Sequence, residues 1–283
     1  MTDYELIAAC WVTAGAARPM DDDDRSPLGV RERIEAAGRA GFTGFGIGYS
    51  DLLDAEKTVG YANLRTMLDD NGIKYFEIEM LANWFVTDER RAEADKQRAN
   101  MLRAAEAVGA RHIKVGGDFT GGPFEPDHMA EEFHALASDA ANAGTRVVFE
   151  PMPFVNVTTP QQALEFVQKA DHPAGKILID IWHVVRAGVD IASLGEIPGE
   201  YIGHIELDDA PLNFDGDIIA DTFNGRTFCG EGEFDVAGFV DAIKKTGFRG
   251  PWGVELLGAE YRKLPLDVAV PKAYRTSMQF LDR

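Results

Sequence analysis

The sequence predicts an α/β fold, a (β/α)8 TIM barrel in which residues 1–283 form one domain. Eight short apolar runs alternate with amphipathic helical patterns, and such alternation gives parallel strands joined by right-handed crossovers. A glycine often separates the end of a helical pattern from the next apolar run, where it relieves the left-handed strain of a helix C-terminus. Eight such units in about 250 residues have the size of a (β/α)8 barrel.

The predicted strands are apolar runs of the length that buried strands have. They cover approximately residues 5–12, 43–49, 73–80, 111–117, 146–150, 176–182, 201–208 and 251–257. Helical patterns lie between them at about 28–40, 58–70, 88–108, 127–143, 160–170, 235–246 and 265–281, with a weak one near 191–196. A doubly wound open sheet is the alternative, but the sequence lacks the glycine-rich phosphate loop that opens such a sheet.

The composition excludes several classes of partner. The chain has 47 acidic and 28 basic residues and a formal charge of −19, whereas nucleic-acid binders neutralise phosphates with Lys and Arg. We therefore expect no nucleic-acid or membrane partner. No window reaches the roughly 18 apolar residues of a membrane span, and no signal peptide is evident, which predicts a cytoplasmic protein. Cys10 and Cys229 are expected to be reduced thiols.

Carboxylates mark the ends of the last four predicted strands. Glu150 ends the fifth strand, Asp180 ends the sixth, Glu206 lies in the seventh and Glu255 ends the eighth. The C-terminal strand ends of a (β/α)8 barrel form its active site, so these four side chains are expected to converge. Like charges gathered in one place repel each other, and a divalent cation such as Mg²⁺ or Mn²⁺ would relieve the repulsion. Neutralisation by Lys and Arg alone is the alternative.

Inward-facing charges are also predicted along three strands, because side chains alternate between the two faces of a strand. His204 and Glu206 share a face of the seventh strand, and Glu77 and Glu79 share a face of the third. Lys114 of the fourth strand is expected either to pair with one of those glutamates or to contact substrate.

Five motifs carry a resemblance to a known family. They are FEP at 149–151, DIWH at 180–183, GHIE at 203–206, RTFCGEGEFD at 226–235 and VE at 254–255. With these motifs the sequence resembles the xylose-isomerase-like TIM-barrel family of sugar isomerases and epimerases, which includes the large subunits of C-glycoside deglycosidases. The resemblance covers nearly the whole predicted barrel.

The resemblance implies one divalent metal ion, Mn²⁺ in the first place with Mg²⁺ or Co²⁺ as alternatives. The family's ligand positions correspond to Glu150, Asp180, Glu206 and Glu255. The sequence departs from the family at Glu206, where relatives have His or Gln. Because Glu206 differs from the family pattern, His204 is predicted to be either a substitute metal ligand or a substrate contact.

The resemblance further implies that Glu150 and Glu255 move the proton next to the carbonyl of a ketose or keto-sugar, through an enediolate, in an isomerase or epimerase. The same proton abstraction gives elimination when a leaving group lies on the β carbon. A lyase, either an inosose-type dehydratase or a 3-keto-C-glycoside deglycosidase subunit, is therefore the alternative, and a non-catalytic sugar-binding barrel is a remote one. His183 and Arg226 correspond to substrate contacts of the family.

The substrate is expected to be an unphosphorylated small-molecule sugar, because no glycine-rich phosphate loop is present. Trp84 is expected to line its pocket, since sugars pack their C–H faces on aromatic rings. A homo-oligomer or a small partner subunit is expected as the assembly. Residues 211–225 form a long insertion that is predicted to be a lid or a partner-binding loop.

Overall fold

A computed structural model describes residues 4–282, and its eight parallel strands close into a barrel. Each strand pairs with its neighbours in the sequence, and the first pairs with the last. The strands are β1 (Leu6–Ala8), β2 (Gly44–Gly48), β3 (Tyr75–Leu81), β4 (His112–Gly116), β5 (Val147–Glu150), β6 (Gly175–Asp180), β7 (Ile202–Leu207) and β8 (Trp252–Val254). The predicted (β/α)8 barrel is confirmed, and the open sheet is excluded because a closed barrel has no edge strands.

Helices surround the barrel. They are α1 (Cys10–Thr13), α2 (Val30–Ala40), α3 (Tyr49–Thr58), α4 (Tyr61–Asp70), α5 (Arg90–Val108), α6 (Pro126–Asn142), α7 (Pro160–Ala170), α8 (Ile181–Arg186), α9 (Ile218–Asn224), α10 (Val236–Lys245) and α11 (Leu266–Leu281). The weak pattern near 191–196 forms a 3₁₀ helix. None of the helices among residues 4–282 is long and apolar enough to cross a membrane.

Three predicted strands, the first, the sixth and the eighth, were too long by two residues or more at their C-terminal ends. The first strand stops at Ala8, because the Cys10 N–H turns away and donates to Glu79 Oε1 at 2.8 Å. The sixth stops at Asp180, whose side chain caps α8 by accepting from the His183 N–H at 3.1 Å. Aspartate is a favoured N-cap residue, so the helix starts directly at the barrel mouth.

Four helices among the described residues were not predicted, namely α1, α3, α8 and α9, and α3 is the longest of them. Residues 49–58 form α3, and Gly60, with a φ of 76°, separates it from α4. Glycine adopts this left-handed backbone without the steric cost that other residues carry. The chain therefore uses two short helices between β2 and β3 where a single one was predicted.

The two faces of the strands have opposite chemistry. In β3, Phe76 and Ile78 pack outward in the hydrophobic core, whereas Glu77 and Glu79 face the barrel interior with Lys114 of β4. The same alternation of faces holds for the other strands that supply charged residues to the interior. The outer face of the barrel is thus an ordinary apolar core, and the inner face carries buried charges. Cys10 and Cys229 are buried free thiols.

The close approach of β1 and β2 can be tested at Gly44. A Cβ there would lie 2.9 Å from Ile7 Cβ and 3.0 Å from Ile7 Cγ2. Overpacking of this kind costs about 1–3 kcal/mol, so we expect Gly44→Ala to lower the free energy of unfolding by that amount in urea denaturation. Gly29→Ala is the matched control, because a Cβ at Gly29 meets nothing within 4 Å. Equal stability of the two variants would contradict the predicted steric conflict.

Candidate active site

Four buried side chains meet at the C-terminal mouth of the barrel. Glu150 ends β5, Asp180 ends β6, His183 lies in the first turn of α8 and Glu255 follows β8 directly. One ligand atom from each lies within 4.8 Å of the others. Glu150 Oε2 and His183 Nδ1 are buried and have no hydrogen-bond partner among the described residues. Buried polar atoms normally have partners, so this group fits a divalent cation.

Arg226 holds the carboxylates from the side. Its NH1 donates to Asp180 Oδ2 at 2.8 Å, forms an ion pair with Asp208, and lies 3.0 Å from Glu255 Oε2. Its guanidinium stacks on the ring of Trp182 with 5.0 Å to the centroid. Burial alone would lower the pKa of Arg226, but the three carboxylates raise it well above its usual value. Arg226 was predicted to contact substrate, and in this structure it neutralises the three carboxylates.

The environments of two acids push their pKa values apart. Burial raises the pKa of Glu255 to about 8, although Arg226 and Lys114 act against the shift. Burial would also raise the pKa of Asp180, but Arg226 and His183 outweigh it and hold that pKa below its usual value. Glu255 is thus suited to carry a proton near neutral pH, while Asp180 stays ionised. Divergent carboxyl groups of this kind are typical of acid–base catalytic sites.

Lys114 is a second buried cation that contacts the inward-facing acids. Its Nζ forms an ion pair with Glu206 and lies 3.2 Å from Glu79, 3.5 Å from Glu255 and 3.7 Å from Glu77. The predicted pairing of Lys114 with glutamates of β3 is confirmed. The alternative role, a substrate contact, disagrees with the structure, because Lys114 is fully buried and does not line the cavity described below.

Glu206 differs from the prediction. Glu206 is fully buried, and its Oε1 forms an ion pair with Lys114 Nζ. It is not a member of the group of four potential ligands. His183 joins that group instead. The sequence signal for His183 in place of Glu206 is the spacing of Asp180 and His183. When an aspartate is the N-cap of a helix, the residue three positions later lies beside it in the first turn.

His204 also lies away from the mouth. It is fully buried, its ring packs on His112 with 4.6 Å between centroids, and its Nε2 is 3.4 Å from Glu77 Oε2. Arg111 NH1 lies 2.8 Å from His112 Nδ1, and His112 Nε2 lies 3.0 Å from Glu77 Oε2. His204 does not line the cavity at the mouth, and it lies instead with Glu77 and His112 in a second buried group that could hold a metal ion.

Trp84 belongs to the core. Its ring is 1% exposed, packs against Phe133 and Phe149, and donates from Nε1 to the Gly116 carbonyl at 2.9 Å. The predicted sugar contact is incorrect, because the turn after β3 directs this indole between the strands and the helices.

A cavity of about 360 Å³ opens in front of the acids. Glu150, His183, Arg226 and Glu255 line its floor. The sequence reasoning missed several apolar side chains of its upper wall, contributed by strand ends and loops: Met20, Tyr49, Met80, Phe119, Met152, Phe223 and Leu257. The position of Met80 and Met152 beside the ends of β3 and β5 is the signal that points to them.

A family model described as a xylose isomerase-like TIM barrel matches residues 34–283. The chain belongs to this family. It is 27% identical over 237 residues to a 3-dehydroshikimate dehydratase of Pseudomonas putida, an alignment that spans 83% of this chain and 37% of that protein. The chain thus spans little more than a third of the length of this relative.

Two further similarities lie within the same barrel family. An inosose isomerase of Bacillus subtilis is 28% identical over 153 residues, which is 52% of this chain and 53% of that protein. A crystal structure of the IOLI protein with a bound zinc atom superposes with a TM-score of 0.85 at 20% identity, over 99% of this chain and 98% of the other. The structural similarity shows the shared barrel.

The role of Lys114 can be tested by its removal. In Lys114→Met, four buried glutamates lose their shared cation, and breaking a buried ion pair costs about 3–5 kcal/mol. We expect that loss in the free energy of unfolding, measured by urea denaturation, and partial recovery in Lys114→Met/Glu206→Gln. Lys74→Met is the control, because Lys74 forms an exposed pair with Glu5. A double variant no more stable than Lys114→Met would refute the pairing of Lys114 with Glu206.

Proposed function

We propose that this chain is a divalent-metal-dependent isomerase or epimerase that acts on a ketose or keto-sugar. The enzyme removes the proton from the carbon next to the carbonyl, and the reaction passes through an enediolate. The convergence of Glu150, Asp180, His183 and Glu255 at the barrel mouth is the observation that carries this proposal. The named activities of the relatives, isomerase and dehydratase, support the same class of chemistry.

Glu150, Asp180, His183 and Glu255 would hold the ion. The chemistry of these donors and the unpartnered Glu150 Oε2 and His183 Nδ1 support this assignment, as does the zinc atom in the related IOLI structure. Mn²⁺ is the proposed ion, because a set rich in carboxylate oxygen with one imidazole suits it. When bound, the ion supplies Lewis-acid polarisation of the substrate carbonyl.

The protein's own groups divide the proton transfers between them. Glu150 removes the proton, and Glu255 returns one. Return to the opposite face of the same carbon gives an epimer, and return to the neighbouring carbon gives an isomer. Arg226 orients Glu255 and Asp180 through its hydrogen bonds and ion pairs.

Elimination is the second candidate. The alignment with the dehydratase relative spans 83% of this chain, more than that with the inosose isomerase, and this favours a lyase outcome. The proton abstraction is the same, and the second proton then goes to the oxygen that departs from the β carbon, as water in a dehydratase. A dehydratase and a 3-keto-C-glycoside deglycosidase subunit are the two forms of this candidate.

The remaining proposals concern context. We propose a cytoplasmic enzyme in which residues 1–283 form one domain and which works as a homo-oligomer or with a small partner subunit. The charge of −19 supports the absence of nucleic-acid and anionic membrane partners, because like charges repel.

Proton exchange is the direct test of this function. The protein, loaded with Mg²⁺, is incubated in D₂O with ketoses, inosose, 3-dehydroshikimate and 3-keto-glucosides, with chelator in a parallel sample. We expect metal-dependent loss of the ¹H NMR signal next to the carbonyl of at least one compound. The product then distinguishes isomerisation from elimination, and the absence of exchange with every compound would refute the proposal.

Replacement of the two glutamates should separate catalysis from folding. We expect Glu150→Gln and Glu255→Gln each to lower kcat/KM at least about a hundredfold, since positioned acids and bases contribute about 10²–10⁴. Circular dichroism melting should show that both variants remain folded. Glu260→Gln, at an exposed glutamate, is the control. Near-wild-type activity in either active-site variant would remove that residue from its role.

Metal binding distinguishes His183 from Glu206. We expect His183→Ala to raise the Kd for Mn²⁺ about tenfold or more in calorimetry, because even indirect partners of a metal site change affinity by about 10–100-fold. Glu206→Gln should change the Kd only slightly, since Lys114 occupies Glu206. The reverse pattern would restore Glu206 as the ligand, as the family resemblance implied.

A further inference from the structure

A second cluster of potential metal ligands lies inside the barrel, away from the mouth. Glu77 of β3, His112 of β4 and His204 of β7 are fully buried, and one ligand atom from each lies within 4.8 Å of the others. None of the three lines the cavity in front of the acids. The reaction proposed at the mouth uses none of these side chains, so their convergence calls for a separate explanation.

The facing atoms of this cluster are close together but make no hydrogen bonds. His112 Nε2 lies 3.0 Å and His204 Nε2 lies 3.4 Å from Glu77 Oε2. All three atoms nevertheless lack a hydrogen-bond partner among the described residues, as do Glu77 Oε1 and His204 Nδ1. A short distance without a hydrogen bond means that the ring nitrogens are not directed at the oxygen. Buried polar atoms normally have partners, so an ion bound between these atoms would satisfy them.

The separations match those within a tetrahedral zinc site. Zinc binds histidine nitrogen and carboxylate oxygen at about 2.0–2.2 Å, which puts neighbouring ligand atoms about 3.3–3.5 Å apart in a tetrahedron. The observed 3.0 and 3.4 Å lie close to this spacing. The rings of His112 and His204 are inclined to each other by 43°, with 4.6 Å between centroids. Two histidines and one glutamate form a zinc donor set that leaves a fourth position for water.

Two glycines leave room for this cluster on the inner face of the barrel. A Cβ at Gly253 of β8 would lie 2.5 Å from His204 Nε2, and a Cβ at Gly46 of β2 would lie 2.8 Å from Glu77 Oε1. Both distances are too short for a side chain. Any other residue at these two positions would therefore push the imidazole or the carboxylate out of the cluster.

The charges of the interior accommodate a divalent ion. Lys114 is already paired with Glu206. Arg111 NH1 lies 2.8 Å from His112 Nδ1, and because arginine has only protons to donate, Nδ1 is the acceptor. A zinc ion on Nε2 takes the place of the ring proton, which is released to solvent. Glu77 and the deprotonated His112 ring then balance the two charges of the ion, and Arg111 stabilises the ring.

We propose that Glu77, His112 and His204 form a buried zinc site in the barrel interior, separate from the metal site proposed at the mouth. The ion links β7 across the barrel to β3 and β4. Because its three ligands are fully buried, the ion enters while the chain folds and is retained afterwards. The proposal does not depend on the reaction at the mouth, since none of these ligands lines the cavity there.

Retention of zinc tests the proposal. The protein is expressed with added Zn²⁺ and dialysed against EDTA in the native state, and its zinc content is measured by inductively coupled plasma mass spectrometry. We expect the wild type to retain about one zinc ion per chain, because chelator cannot reach a buried ion without unfolding. His204→Gln should retain less than about a tenth of that amount. His183→Ala, which alters the mouth, and His172→Gln, at a histidine of the loop after α7, should retain as much as the wild type.

Three results would overturn the proposal: no retained zinc in the wild type, equal retention in His204→Gln, or loss of the retained zinc in His183→Ala. If His204→Gln does not fold, diffraction from the wild type at the zinc absorption edge decides. An anomalous peak between Glu77, His112 and His204 is expected, and a map without that peak would contradict the site. Absence of proton exchange in a protein that retains this zinc would count against the proposed reaction alone.

Discussion

The structure depends on two buried cations that hold together the acids of the barrel interior. Lys114 neutralises the glutamates that point inward from β3 and β7, and Arg226 neutralises Asp180, Asp208 and Glu255 at the mouth. An uncompensated buried charge costs several kcal/mol, so this number of acids cannot be enclosed without such partners. The sequence suggested two ways to neutralise the acids, a divalent metal ion or Lys and Arg side chains. Each is partly right. The cations neutralise most of the acids, and Glu150 with His183 keeps free ligand atoms.

The loops of the mouth are fixed by the same charges. Glu79 accepts the Cys10 N–H and so ends β1, and Asp180 caps α8 and so brings His183 to the acids. Gly258 comes close to the backbone of the Arg226 segment, where a Cβ would lie 3.0 Å from the Arg226 carbonyl carbon. Glu79 and Asp180 thus each have a structural partner in addition to any role in chemistry. The rigidity of the site follows, because its side chains also terminate strands and start helices.

The sequence predicted which face of a strand each side chain lies on better than it predicted how far along the barrel axis that side chain lies. Alternation along β7 correctly put His204 and Glu206 on the inner face, but two residues of strand rise about 6–7 Å, and this separates the barrel interior from the mouth. His204 consequently contacts Glu77 and His112 and does not line the cavity. Trp84 shows a different limit, because a loop after a strand can turn its side chain to either layer. The barrel itself was predictable, since it follows from a pattern repeated eight times.

The apolar upper wall and the acidic floor line one cavity. A substrate seated between them would displace water from the mouth, and removal of water strengthens the electrostatic interactions of the acids below. Contacts with the wall would also hold the reacting carbon against Glu150 and Glu255 in one orientation. Binding energy remote from that carbon is thereby converted into correct positioning.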